Sequence, residues 1–206
     1  MTMKSFLGSR LLLAVALGSA LSACAPVLVG GTVMTALVAT DRRTSGAQLE
    51  DEGIELRAQS RLRETFGDRV HVNITSYNRR VLITGEVPTA QDPQRVEQLV
   101  SRVENVKGVV NELAVLGNTT LTQRSTDTLV TGRVRAGLVD AKDLYASAFK
   151  VVTERGTTYL MGRVTQREAD RATEVARSTS GVQKVVRLFE IITEEELKAL
   201  MPKPAP

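Results

Sequence analysis

Apolar residues recur every fourth position at Ile54, Ala58, Leu62 and Phe66, and again at Val130, Val134 and Leu138. That spacing puts each set on one face of a helix. After the first helix, Val70, Val72 and Ile74 alternate with polar residues, as a half-buried strand does. Tyr145, Ser147, Phe149 and Val151 hold the same parity later in the chain. Asn78-Arg79 and Arg155-Gly156 then mark turns into second strands. Those strands place Val81, Ile83, Gly85 and Val87 on one face, matched by Thr158, Leu160, Gly162 and Val164. A second helix follows in each case. Asp92-Pro93 offers an N-cap with Pro at the first position, and Thr165 with Glu168 spells a capping box. The core stripes are Val96, Leu99, Val100 and Val103, and then Ala169, Ala172 and Ala176. Gly108 and Gly181 fit helix-ending C′ positions, and final strands run over 109–116 and 182–191. Glu50, Asp51, Glu52 and Asp127 suit the positive ends of the two opening helices.

The two halves are copies of one module. The stretch 81–87 aligns with 158–164 at an offset of 77, and Ile54, Ala58 and Leu62 align with Val130, Val134 and Leu138 at 76. The fold class is therefore α+β, with the order α-β-β-α-β twice. In each unit a small three-stranded mixed sheet packs under two helices. Units of this size are marginal alone, so docking of one on the other is expected. Residues 47–116 form the first domain, 117–124 a polar linker, 125–193 the second domain and 194–206 a C-terminal tail. Gly85 and Gly162 share one strand position, which suits close helix-on-sheet packing or a bulge.

The N-terminus carries a different pattern. Lys4 and Arg10 precede a short apolar run from Leu11 to Leu17, too short to span a bilayer. It ends in Leu21-Ser22-Ala23-Cys24, which resembles the lipobox of bacterial lipoproteins. Residues 1–23 then read as a signal peptide. Cys24, the only cysteine in the chain, becomes the mature N-terminus, carrying a diacylglycerol and an N-acyl group. Residues 24–46 read as a lipidated tether. Ala25, rather than Asp, follows the cysteine, which under the lipoprotein sorting rule implies the outer membrane, facing the periplasm.

Composition removes several function classes. The 206 residues are 42% apolar and 24% charged, with no Trp, one Cys and one His. This excludes a disulfide framework and a His- or Cys-rich metal centre, and no metal site is expected. No nucleophile triad, phosphate loop or nucleotide fingerprint appears, so no catalytic residue, no small-molecule substrate and no cofactor beyond the acyl groups are expected. His71 falls out of phase with Val70 and Val72, as a solvent-facing or edge residue would. The cations are not interleaved with aromatics, which argues against nucleic acid. Removal of Lys4 and Arg10 with residues 1–23 lowers the net charge from +4 to +2. The copies differ in sign: residues 47–116 hold 9 basic and 11 acidic residues, whereas 125–193 hold 11 and 8. The second copy better suits an anionic surface.

The α-β-β-α-β unit, with Gly in its second strand and Gly-Val after its second helix, resembles the BON domain. The stretches 127–135 and 152–169 carry the likeness best. Two such units behind a lipobox resemble the dual-BON outer-membrane lipoproteins. The resemblance implies a non-enzymatic protein that binds anionic phospholipid through its second domain and supports outer-membrane integrity. Helical geometry puts Leu129, Gly132, Arg133 and Ala136 opposite the core face, with Arg135 on a flank. These five are the expected lipid-binding residues. The family pattern has a bulkier aromatic at the Leu129 position, so a weaker affinity is implied. In the first copy, Arg57, Arg61 and Arg63 lie among acids, as on a solvated face with exposed ion pairs. The alternative partner is a protein: an adaptor docking on outer-membrane assembly, division or cell-wall machinery would use the same duplicated fold.

Overall fold

The computed structural model describes residues 41–200. The signal segment 1–23, Cys24, most of the tether and residues 201–206 lie outside the described residues.

Helix α1 (Ser45–Phe66) starts where the Thr44 hydroxyl accepts from the N–H of Ala47. It buries Ile54, Ala58, Leu62 and Phe66. Strand β1 (His71–Tyr77) turns through Asn78 and Arg79 into β2 (Arg80–Val87), its antiparallel partner. Both turn residues have positive φ, 51° and 67°, the type I′ geometry that matches strand twist. Helix α2 (Asp92–Ser101) crosses over to β3 (Gly108–Val115), which pairs parallel to β2. The second copy repeats this with α3 (Leu121–Asp140), β4 (Phe149–Glu154), β5 (Thr157–Val164), α4 (Gln166–Ser178) and β6 (Lys184–Ile191). Its turn residues Arg155 and Gly156 again have positive φ, 51° and 72°. A short α5 (Glu194–Leu200) follows, burying Leu197.

Several expected details are corrected. Both opening helices begin about a turn and a half early, α3 inside the stretch read as linker, because Thr44 and Thr120 cap them. Glu50, Asp51, Glu52 and Asp127 therefore lie within the helices and not at their positive ends. Asp51 and Asp127 are buried, and their carboxylates serve the hairpin turns. Asp51 accepts from the N–H groups of Asn78 and Arg79 and from the Ser76 hydroxyl. Asp127 accepts from the N–H groups of Arg155 and Gly156. Strand β4 starts only at Phe149, since the chain before it winds into a 3-10 turn at Ala146–Ala148. Asp92 is the first residue of α2 and not its cap, and it accepts from the N–H and hydroxyl of Thr89. Gly108 opens β3 and does not end α2; the left-handed position in that loop is taken by Asn105 (φ 67°).

Gly85 and Gly162 are needed for close approach, though of a strand and not of a helix. A Cβ on Gly85 would lie 2.0 Å from the carbonyl oxygen of His71, and one on Gly162 2.6 Å from that of Ala148.

Each sheet has two buried faces. One face packs under its own helices: Val81, Ile83 and Val87 with Ile54, Ala58, Val96 and Val100 in the first copy, and Leu160 and Val164 with Val130, Val134, Ala169 and Ala172 in the second. The other faces meet each other. Tyr77, Leu82, Tyr159 and Met161 form a third core between the sheets, flanked by Val110, Val186 and Leu188. Polar bonds rim it: Lys150 Nζ donates to Glu55 Oε1 at 2.6 Å, and Asn78 Nδ2 to Glu190 Oε2 at 2.7 Å. This explains why β2 is buried at nearly every position and does not alternate.

Candidate functional site

Helix α3 carries the expected lipid-binding residues, and all five are exposed. Its inner face is fixed by Val130, Val134 and Leu138 in the core and by Asp127 on the hairpin turn. At 3.6 residues per turn, Leu121, Ser125, Leu129, Gly132, Ala136 and Val139 then share the outward arc. Three of them are large and apolar with most of their surface in water: Leu121 78%, Leu129 62% and Val139 68% exposed. Gly132 and Ala136 keep the space between them shallow. The hydroxyls of Ser125, Thr126 and Thr128 donate back to the carbonyls of Leu121, Thr122 and Arg124, at 2.9, 3.0 and 2.9 Å. Their donors are thereby satisfied within the helix, which lowers the cost of taking this face out of water.

Arg133 and Arg135 project on opposite flanks of the stripe. Arg133 Nη1 donates to the carbonyl of Ser180 at 3.4 Å, and Arg135 Nη2 to that of Val151 at 3.1 Å. Each is exposed and leaves further guanidinium donors for an incoming anion. The acid nearest the middle of the helix, Asp127, is turned inward; the exposed Asp140 stands at its C-terminal end. Leu121 and Val139 extend the exposed apolar face beyond the residues expected from sequence. Leu121 falls in the stretch that reads as linker, which hides its place on the helix face. Val139 stands at 18 residues, five turns, from it, a spacing legible once the helix start is known.

Helix α1 offers a different surface. Leu49 and Leu56 are exposed there, but Glu52, Arg61, Arg63 and Glu64 share the exposed surface. Arg57 Nη2 pairs with Glu50 Oε1 at 2.6 Å. Hydrogen bonds from Asn105 and Arg57 hold the Glu50 carboxyl below its ordinary range. No helix among the described residues is long and apolar enough to cross a membrane.

A second polar cluster lies between the two domains. His71 stands on edge strand β1 but is not solvent-facing: its Nδ1 is 2.9 Å from Glu86 Oε2. The N–H and hydroxyl of Thr119 donate to that same oxygen at 3.2 Å. Asn73 Nδ2 donates to Glu154 Oε2 at 2.8 Å. Burial pushes the Glu154 carboxyl above its ordinary range. A cavity of about 480 Å³ opens onto His71, Asn73 and Glu154, with Arg124, Asp127 and Thr128 on its α3 side. This cluster escaped the sequence reading. Its one available signal was Glu86, a lone acid in the otherwise uncharged run 81–87.

Comparison with known proteins adds the family. The model of the BON domain matches residues 50–117 and 126–193. The chain is 35% identical over 184 residues to the outer membrane lipoprotein DolP of Haemophilus influenzae, covering 87% of this chain and 95% of that one. It is 30% identical over 154 residues to the 21 kDa hemolysin of Actinobacillus pleuropneumoniae, covering 74% and 79%. A solved structure of CdsD, a structural protein of the type III secretion system of Chlamydia trachomatis, covers 77% of this chain and 99% of its own at 14% identity. Its TM-score is 0.28, too low for any inference.

Proposed function

The chain belongs to the BON-domain family, and from that membership we propose that it is an outer-membrane lipoprotein whose second BON domain binds anionic phospholipid along α3. Cys24 anchors it by its acyl chains, facing the periplasm, and the protein supports outer-membrane integrity without catalysis. The relatives' names, an outer membrane lipoprotein and a hemolysin, support the membrane setting.

The observation that carries the reading is the outward face of α3. Leu121, Leu129 and Val139 are poised to enter the acyl boundary, while Arg133 and Arg135 meet phosphates at its margins. This is the arrangement of an interfacial helix. Full burial of one Leu is worth about 1.5–3 kcal/mol, and each Arg near an anionic surface about 1 kcal/mol. A single short helix face therefore binds weakly by itself. Joined to a lipid anchor, weak binding suffices to favour anionic regions of a membrane the protein never leaves.

The test is co-sedimentation of a chain starting at residue 25 with vesicles of phosphatidylcholine or of phosphatidylglycerol. Binding to the anionic vesicles alone is expected, with loss in a Leu129→Asp, Arg133→Glu variant. No binding at any salt concentration would overturn the reading in favour of the protein adaptor, as would equal binding by the variant.

A further inference from the structure

We propose that His71, Glu86 and Glu154 form a site for one divalent transition-metal ion of zinc-like preference, held between the two domains. One donor atom from each residue lies within 4.8 Å of the others. His71 and Glu86 come from β1 and β2 of the first domain, and Glu154 from β4 of the second, so an ion there ties the two sheets together.

Glu86 gives the independent sign. Its side chain is fully buried. Oε2 is well served by His71 and Thr119, but Oε1 has no hydrogen-bond partner. The nearest cation is Arg155, whose Nη1 stands 3.7 Å away on a side chain 42% exposed. A buried carboxylate oxygen without a hydrogen bond costs stability, and native folds rarely keep one without a reason. Arg155 can swing into solvent and leave the Glu86 carboxylate to an ion that neutralises it at shorter range.

The donor set selects the class of ion. One imidazole and two carboxylates suit zinc or a neighbouring transition metal. Calcium would need six to eight oxygens. Tetrahedral zinc draws its ligands to about 2.0–2.2 Å from the ion, so the three donors must close slightly. The cavity beside His71 and Glu154 gives their side chains room to do so, and it admits the water that would complete the set. The bond from Asn73 Nδ2 to Glu154 Oε2 orients that carboxylate from outside, as outer partners do in metal sites.

The test titrates the full chain, purified in detergent, with Co²⁺ and follows its visible ligand-field bands. Thermal melts run in parallel with Zn²⁺ or with EDTA. Bands that saturate at one ion per chain are expected, with a higher melting temperature in Zn²⁺. His71→Gln and Glu154→Gln should each weaken binding at least about tenfold, the scale that even outer-partner changes reach. Both replacements keep size and hydrogen bonding, and circular dichroism checks that the variants fold. His71→Ala serves as a second removal of the same ligand. Absence of bands in the wild type would overturn the proposal. So would bands or a melting shift that persist unchanged in folded His71 and Glu154 variants. Vesicle binding reads the α3 face separately, so either proposal can fail without the other.

Discussion

Arg42 and Glu168 meet as a bidentate pair, Nη1 to Oε2 and Nη2 to Oε1, both at 2.7 Å, from opposite ends of the sequence. Arg42 precedes the first helix of the first domain. Glu168 closes the capping box of α4 in the second. Arg42 Nη1 also donates to the carbonyl of Arg163 at 2.9 Å. The pair is buried on both sides. Arg42→Ala should therefore cost about 3–5 kcal/mol, because it strands a buried charge. Adding Glu168→Gln to that variant should recover part of the loss. Urea midpoints for the two singles and the double give the coupling.

The same pair sets an acid limit. Burial alone would raise the Glu168 carboxyl, but bonds from Arg42 and from the Thr165 N–H outweigh it and hold it below its ordinary value of 4.5. Asp51 behaves alike. Burial would raise it, yet the Ser76 hydroxyl, the N–H groups of Arg79 and Asn78, and Arg43 hold it below 3.8. A depressed carboxyl stabilises fully above its unfolded pKa and loses that contribution as pH falls through the folded one. The contribution of these two carboxyls should thus be flat above about pH 5 and fall steeply below pH 4, whereas Glu154, raised by burial, contributes less as pH climbs through its folded value. Glu168→Gln and Asp51→Asn should each flatten the fall while lowering the plateau. Urea denaturation across that range is the measurement.

The two hairpin clamps can be opened separately. Asp127→Ala removes the acceptor for the N–H groups of Arg155 and Gly156 and should cost about 1–3 kcal/mol. Hydrogen exchange should accelerate at those two amides before it does in α3. Equal acceleration throughout the second domain would mean that Asp127 holds the whole fold and not the turn alone.

Glycines at two sites should respond with opposite signs. Gly85→Ala drives a Cβ into the carbonyl of His71 at a φ of 114°, and a loss above about 4 kcal/mol is expected. Gly132 on α3 has open space around its Cβ position. Gly132→Ala should raise stability by about 1 kcal/mol. Thermal melts of the two variants decide this.

The proposed lipid contact should extend past the residues near the centre of α3. Leu121→Asp and Val139→Asp should each weaken vesicle binding several-fold, whereas Leu56→Asp on α1 should not. Binding should also fall between low and physiological salt, since both arginines are exposed and screened. A uniform effect of all three substitutions would move the contact off α3.

Much of this arrangement was legible in the residues. Fourfold spacing found the helices, alternation found the strands, and the repeat placed each copy's elements. Leu129, Gly132 and Ala136 could be put on the outward arc from periodicity alone. What stayed hidden depends on contacts across the chain. Asp51 and Asp127 look like helix-start acids until the hairpin that they clamp is seen beside them. Leu121 looks like linker because a single Thr120 cap decides where α3 begins. Leu82, Tyr159 and Met161 sit at out-of-phase positions that a one-sided sheet would leave in water. Only the facing sheet explains them. Arg42 lay in a stretch read as tether, and nothing local announces a partner 126 residues away.

That facing pair of sheets changes how the duplication behaves with concentration. Two separate modules with such surfaces would form a dimer that dilution dissolves, or would pair with the wrong neighbour in a crowded envelope. Joined in one chain, the modules meet at an effective concentration set by the short connection between them, at any protein level. A module cut free would regain its unsatisfied face and should self-associate. The duplication thus works as a built-in stopper, in which each half occupies the surface through which the other would otherwise pair with a second molecule.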